Sequence, residues 1–413
     1  MPFRHNLVVT IVAIASLLSS VCLAYGQDTA TSDVDQSNIL DRIRLSANLR
    51  LRYQGVERDQ LLDGSALTAR LHAAAEVDLG AGFRALAEVE AIEAFGDNYN
   101  DGTNFGSGLP LIIDPEGVEL NRLQLVSETL PRSRMTLGRQ RIALDDWRFL
   151  GAWPFRQNDQ SLDAVRLETR LVPLGLLDVA AFNRVNRIQG EDNPIGVFRG
   201  TSWYANYAVG TPVGRFSAFH YDFSLRTILE DASTRTTGVR LFGRRHTEDW
   251  GFVWEGSYAR QKDARDNPND FGADYWLARL SVEPGDWSLT AKGEWLGRDG
   301  GQAVQTPLGA LHGFGGLADQ FLRTPSEGLR DLSIEAKYNL GPSGIFDDVS
   351  ALVRIHEFKS FDRSFDYGDE IDLALEARIG DIVLSMEHAR YRSQQFSTDT
   401  NSTVLSLSYV WGG

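Results

Sequence analysis

A single cysteine, Cys22, is present among the 413 residues, so no disulfide framework is available, and once the leader containing it is removed no thiol remains to bind a metal or act as a nucleophile. Lysine is nearly absent. Lys262, Lys292, Lys337 and Lys359 are the whole set, and the other 37 cationic side chains are arginine, whose rigid fork suits carboxylates, although codon bias gives the same ratio. Positive charge is in deficit, 41 Lys and Arg against 56 Asp and Glu, a formal net charge of −15. That balance excludes a nucleic-acid binder, which needs a basic face to neutralise phosphates. Hydrophobic residues at 42% with only 13 prolines exclude a disordered or low-complexity chain.

Beyond the N-terminus there is no long apolar run. The one that exists, Leu7 to Ala24, follows Arg4 and His5 and ends among the small residues Cys22, Ala24 and Gly26. It reads as a cleaved secretory signal over residues 1–26, followed by a flexible periplasmic lead-in over 27–40.

From Arg42 onward the dominant period is two. Ile43, Leu45, Ala47, Leu49, Leu51 and Tyr53 alternate with Arg44, Ser46, Asn48, Arg50, Arg52 and Gln54, a sorting that only a strand places on two faces. Leu67 to Leu79 repeats it, and Gly80-Ala81-Gly82 turns the chain straight into Phe83, Ala85, Ala87 and Val89, a tight hairpin. Roughly 18 such runs of about 9 to 11 residues continue to Trp411, the length a tilted strand needs to cross a bilayer. Glu119 to Val126 and Arg134 to Ile142 switch parity, as bulged strands do.

Connections alternate short and long. Gly80 to Gly82, Glu283 to Asp286 and Gly380-Asp381 are short, whereas Phe95 to Gly117, Ile142 to Leu162 and Gly297 to Gly328 are long. The apolar face ends in aromatics such as Tyr53, Phe83, Trp287, Trp295, Tyr338 and Trp411. Together these predict an all-β protein, a transmembrane antiparallel up-and-down β-barrel of about 18 strands over residues 41–413, with short periplasmic turns and long extracellular loops, in a bacterial outer membrane and in contact with its lipid. A soluble sandwich would instead bury the apolar face and leave no aromatic girdle.

The other face then lines a lumen, where Arg44, Arg50, Arg52, Arg70, Arg166, Arg240 and Arg354 point inward. A cationic lining favours anions, while inward Arg and Glu pairs such as those around Glu168 act as braces between strands.

Two blocks carry a resemblance to a known family. Gly138-Arg139-Gln140-Arg141-Ile142, Asp146-Trp147-Arg148-Phe149-Leu150-Gly151 and Phe155-Arg156-Gln157-Asn158-Asp159-Gln160-Ser161-Leu162-Asp163-Ala164 form the first; Pro307 to Leu322, with His312 and Asp319, and Thr324 to Asp331 form the second. They resemble the alginate export family of outer-membrane barrels. The resemblance implies a monomeric 18-stranded channel with a cationic lumen, Arg139 and Arg141 on a strand, and Arg148, Arg156 and Asp163 on or beside a segment that folds into the pore. Asp146, His312 and Asp319 read as residues that satisfy backbone groups within loops.

The leading expectation is a passive channel for anionic saccharides, a polyuronate exporter or an oligosaccharide entry route, working from a gradient or with a periplasmic export partner. The alternatives are a general porin for small organic anions and, third, a barrel enzyme or adhesin. The seven histidines are scattered, no nucleophile elbow or nucleotide motif is present, and no cofactor or metal is called for.

Overall fold

The computed structural model describes residues 42–103, 108–172, 175–227, 229–265 and 267–412; the leader and the lead-in expected over 1–40 lie outside them. β1 (Ile43–Arg58) and β2 (Gly64–Gly80) open a sheet that runs through β3 (Phe83–Ala94), β4 (Gly117–Ser127), β5 (Ser133–Gln140), β6 (Ser161–Val172), β7 (Gly175–Asn186), β8 (Val197–Thr211) and β9 (Gly214–Phe223). It continues through β10 (Thr234–His246), β11 (Trp250–Asp263), β12 (Gly272–Pro284) and β13 (Trp287–Leu296). A small hairpin of β14 (Arg298–Asp299) and β15 (Gln302–Ala303) stands apart, and β16 (Leu329–Asn339), β17 (Asp348–Lys359), β18 (Asp366–Ile379), β19 (Ile382–Ser393) and β20 (Thr400–Gly412) complete the wall. Every neighbouring pair is antiparallel, and β20 returns to β1 from Ser46↔Gly412 to Arg58↔Thr400, which closes a barrel of 18 strands with no free edge.

The alternation in sequence becomes two surfaces. On β1, Arg52 and Gln54 are buried while Leu49, Leu51 and Tyr53 face outward. An outward apolar band is stable only against lipid, and aromatic pairs mark its borders: Trp287 with Tyr338 at 4.7 Å and Tyr258 with Trp276 at 4.3 Å between ring centroids. The β2–β3 turn needs the left-handed region at three successive residues, Gly80, Ala81 and Gly82, with φ of 77, 51 and 80°. One of the two parity switches is a bulge: the β3–β4 register jumps at Glu88/Val89, leaving Asn121 without a ladder partner. The other is not, since β5 pairs with β4 and β6 without a register shift; Gly138 in it sits at φ 111° with its missing Cβ aimed 2.2 Å from the Leu123 carbonyl oxygen.

Two of the long connections do not stand outside. The loops of residues 141–160 and 297–328 fold into the barrel and dock on each other, with Gly151 N donating to Leu308 O at 2.9 Å and Ala310 N to Trp147 O at 3.0 Å. They rest on an apolar floor that period-two reading does not reveal. Phe219, Tyr221 and Phe223, alternate residues of β9, stack in one row on the inner face (4.9 and 5.7 Å), and Phe149 packs on Phe219, Tyr221 and Tyr275. Each buried side chain of this size contributes roughly 2 kcal/mol, so a handful fixes both loops inside the lumen. The inner face is therefore polar along β1 to β4, while aromatic side chains line it at Tyr204 of β8, at Phe219, Tyr221 and Phe223 of β9 and at Tyr275 of β12.

Candidate functional site

The two inward loops meet against the wall of β1 and β2, and there the arginines of the sequence reading gather. Arg50 donates to Gln157 Oε1 and Pro154 O, both at 2.8 Å, and to the Arg156 carbonyl. Arg70 reaches Gln157 O at 3.5 Å and the Asn48 side-chain oxygen. Neither makes an ion pair among the described residues. Arg52 is nearly inaccessible: it donates to Phe155 O and Gln54 Oε1 at 2.8 Å, lies 3.2 Å from Asp114, and its guanidinium covers the Phe155 ring at 4.0 Å.

The remaining arginines have acid partners. Arg139 is shared by Asp163 (2.8 Å) and Glu191 (2.5 Å), and Asp163 also faces Arg184, so these residues form a network across β5 to β7. Arg141 pairs with Asp159 and lies 3.2 Å from Glu88. Arg166 is held by Asp178 at 2.5 Å and Glu168 at 3.1 Å, the bracing anticipated there. Arg240 meets Glu255 at 2.6 Å, Arg354 meets Glu335 at 2.6 Å, and the exposed Arg44 lies 3.8 Å from Glu76.

The loop residues tie the constriction together. Arg148 crosses to Glu294 of β13 at 2.7 Å, and Arg156 to Asp319 of the other loop at 2.8 Å. His312 stacks on Phe155 with centroids 3.3 Å apart and contacts Asp319 and Glu387. His312 and Asp319 thus serve each other rather than backbone groups, which departs from the reading of their loop. Asp146 does accept a backbone bond, from Arg148 N at 3.2 Å. Burial opposes a charge on His312, yet Asp319 and Glu387 outweigh it and hold its pKa above the ordinary imidazole value. Asp319, despite its burial, is held below the usual carboxylate range by His312 and Arg156. Burial pushes Asp146 up to about 6.

The wall of β16 to β19 was legible only in part. His356 and Asp372 fall on inward positions by parity, but Glu370 and Glu387 were missed, since a single acid at an inward position carries no pattern of its own; Asp114, in the connection before β4, was missed as well. His356 Nδ1 lies 2.6 Å from Asp331 and its Nε2 3.4 Å from Asp372; Glu370 accepts Ala318 N at 2.8 Å.

One cluster has metal-ligand types, His72, Glu90 and Asp159, with candidate ligand atoms within 4.8 Å of one another. Arg50, Arg70, Arg122 and Arg141 all bear on it electrostatically, a field that repels a cation, and Glu90 already accepts the Asp159 amide at 3.4 Å. Its chemistry is that of an ion-pair network.

Below the loops the lumen opens into two polar cavities. One of about 280 Å³ is lined by Asn48, Arg70, His72, Glu88 and Arg141; the other, about 390 Å³, has Arg244, Arg279, Lys292 and Arg354 facing Asp146, Glu255, Glu283 and Glu335. A low-dielectric wall, an arginine cluster and a constriction made by inward loops define an outer-membrane β-barrel built around a narrowed aqueous path.

Solved structures share this architecture. Over 91% of this chain and the whole of the other, the barrel superposes on OpdK of Pseudomonas aeruginosa, solved with vanillate, with a TM-score of 0.69 at 14% identity. OccAB3 of Acinetobacter baumannii gives 0.71 at 12% identity over 90% of this chain and all of that one, and OccK9 (OpdG) of P. aeruginosa 0.70 at 14% over 91% and 100%. No family model and no curated protein matches the sequence. The expected resemblance to alginate exporters is thus not supported: the fold is that of the Occ barrels, and the loop blocks that suggested the other family are explained by loop packing inside such a barrel.

Proposed function

We propose that the chain is a passive outer-membrane channel for small organic anions rather than a polyuronate exporter, an enzyme or an adhesin. The observation that carries this reading is the state of Arg50 and Arg70. Two guanidiniums at the constriction make their hydrogen bonds to carbonyl and amide oxygens alone and form no ion pair among the described residues; Asp114, Asp159 and Glu90 act on them only from a distance, which leaves donor capacity for an anion. In a low-dielectric wall such charge attracts an anion far more strongly than in water, while several weak contacts let it leave again. A long polyuronate would need an unbroken cationic file, and here Arg139, Arg141, Arg166, Arg240 and Arg354 are each held by carboxylates. The vanillate bound to OpdK supports a monocarboxylate as the first solute to try.

Single-channel recording of the refolded protein under a salt gradient tests it. We expect an anion-selective current that vanillate reduces and oligouronate leaves unblocked. The double variant Arg50→Gln, Arg70→Gln should lower the anion preference by about tenfold, the factor carried by 1.4 kcal/mol. Block by oligouronate at low concentration would restore the saccharide reading, an unchanged preference in the double variant would remove these arginines from the mechanism, and the lack of any current would bring back the enzyme and adhesin.

A further inference from the structure

Both ring nitrogens of His312 face carboxylates: Nδ1 lies 2.9 Å from Asp319 Oδ1 and Nε2 3.1 Å from Glu387 Oε2. A neutral imidazole has one N–H, so it would leave acceptor against acceptor at one of these contacts; only the imidazolium donates to both. The two acids belong to different parts of the molecule. Asp319 is on the same loop, 297–328, whereas Glu387 is on β19, so the charged ring fastens the loop to the wall. The same ring stacks on Phe155 of loop 141–160, and the neighbouring Arg156 donates to Asp319. One contact set therefore joins both loops and the barrel.

Elsewhere the two loops are held by main-chain hydrogen bonds, Gly151 N to Leu308 O and Ala310 N to Trp147 O, which do not titrate. Loop 297–328 is also held to the wall by Ala318 N on Glu370 of β18, by Gln305 on Gln261 of β11 and by Phe321 packed on Phe358 and Tyr391, none of which needs a proton on His312; the contact at His312 is the one that does. We propose that His312 is a proton-operated clasp, closed as the imidazolium, which pins its own segment of the loop to Glu387 of β19, and open as the neutral imidazole, which releases that segment while Phe321 and Ala318 keep the rest of the loop in place, and so widens the path beside it. The inference rests on the channel reading above.

The groups that face the clasp agree on where the proton goes. Asp319 comes from its own loop, Glu387 from β19, Glu370 from β18 through its bond to Ala318 N, Arg156 from loop 141–160, and Arg52 from β1 across the far face of Phe155. The two arginines keep Asp319 ionised, which leaves the ring as the proton's seat. Its pKa is raised in the clasped state, so the stabilisation of that state is complete below the ordinary imidazole value of about 6.5 and is lost as pH rises through the raised value. Conductance therefore increases with pH. His356 is also flanked by two acids, but Asp331 and Asp372 lie on the strands next to its own, so its titration releases no loop.

The test is the pH profile of single-channel conductance from about pH 5 to 9 for the full-length protein and two variants. The wild type should gain roughly threefold in conductance across this range, a modest population shift. His312→Phe keeps the stacked ring and removes the proton, and should hold the high-pH conductance throughout. Glu387→Gln lies on the wall, keeps an acceptor oxygen and removes the negative charge that favours the imidazolium, and should move the midpoint to lower pH. A wild-type current that is flat with pH, or a His312→Phe profile superposing on the wild type, overturns the clasp while leaving the channel intact. Absence of current at every pH overturns the channel and the clasp together. Should His312→Phe fail to give a heat-modifiable folded band, an unmoved midpoint in Glu387→Gln overturns the clasp on its own.

Discussion

Two stretches of the inner wall carry the same residue types in opposite states of satisfaction. Along β1 to β4 and the facing loop, donors are left over: Arg50 and Arg70 lean on neutral oxygens, and the Nε atoms of Arg52, Arg70, Arg122 and Arg156 have no hydrogen-bond partner. Along β13 and β16 to β18, acceptors are left over: Glu294, Asp331, Glu370 and Asp372 each keep one carboxylate oxygen without a hydrogen bond, and Lys292 and Arg354 approach three of these oxygens only as ion pairs at 3.3 to 3.8 Å. Asp114 breaks the rule on the first side, and Arg330 Nε and His356 Nε2 break it on the second. The two stretches are separated along the wall only by β19 and β20, and an uneven distribution of charge around a narrow lumen orients a solute as well as selecting its sign. The net charge of −15 hides this arrangement, because the quantity that matters is which charges remain unpaired at the constriction.

The comparison is broken most severely by removing the cation that reaches the acidic side from a loop. Arg148 donates to Glu294 at 2.7 Å, and both are almost inaccessible. Arg148→Ala leaves a buried carboxylate with the Tyr275 hydroxyl at 2.9 Å and Lys292 3.7 Å away, and should cost about 3 kcal/mol. It also detaches loop 141–160 from β13, so we expect a lower thermal midpoint, read from loss of the heat-modifiable folded band, together with a larger and noisier conductance. Glu294→Gln in the same chain should recover part of the loss. A single variant that unfolds at the wild-type temperature would mean that the acidic side does not depend on the loop.

A smaller effect sharpens the comparison without breaking it. Glu370→Gln with Asp372→Asn keeps hydrogen-bonding atoms in place, including an acceptor for Ala318 N, and removes the negative charge that this hydrogen-bonded pair of carboxyls carries. Anion permeability should rise about twofold with little change in stability, since the residues lost are acids on one face of β18 that repel each other when both are ionised. A fall in anion permeability would show that the acidic side helps to orient the solute by binding its cationic part.

The barrel was legible because the pleat sorts residues locally. Any two adjacent positions of β1 or β2 reveal their faces without knowledge of a partner, and even the bulge at Asn121 leaves a parity switch in the chain. The state of the arginines was not legible, since partners are assigned by register and by loops. Arg139 meets Asp163 only because β5 pairs with β6 at that offset, and Arg50 escapes an acid only because Pro154, Arg156 and Gln157 happen to fold back onto β1. The aromatic floor of β9 was hidden for another reason. Phe219, Tyr221 and Phe223 alternate with Ala218, His220 and Asp222, so the residues that look like a lipid face point into the lumen and the polar ones point out.

The smallest expected effect concerns the anchor of loop 141–160. Asp146 lies 3.9 Å from Arg240 and accepts Arg148 N, yet burial outweighs both and raises its pKa from 3.8 to about 6. A carboxyl whose pKa is raised by folding stabilises the native state fully below its unfolded value and loses that contribution as pH climbs through about 6. Above that pH the loop carries an ionised group in a place suited to a neutral one. Asp146→Asn keeps an oxygen for Arg148 N and removes the charge, so its thermal midpoint should exceed the wild type's slightly at about pH 8 and converge with it near pH 4, where both side chains are neutral. A variant less stable at about pH 8 would instead show that attraction to Arg240 dominates, and the charge on Asp146 would then count among the braces that hold the loop in the lumen.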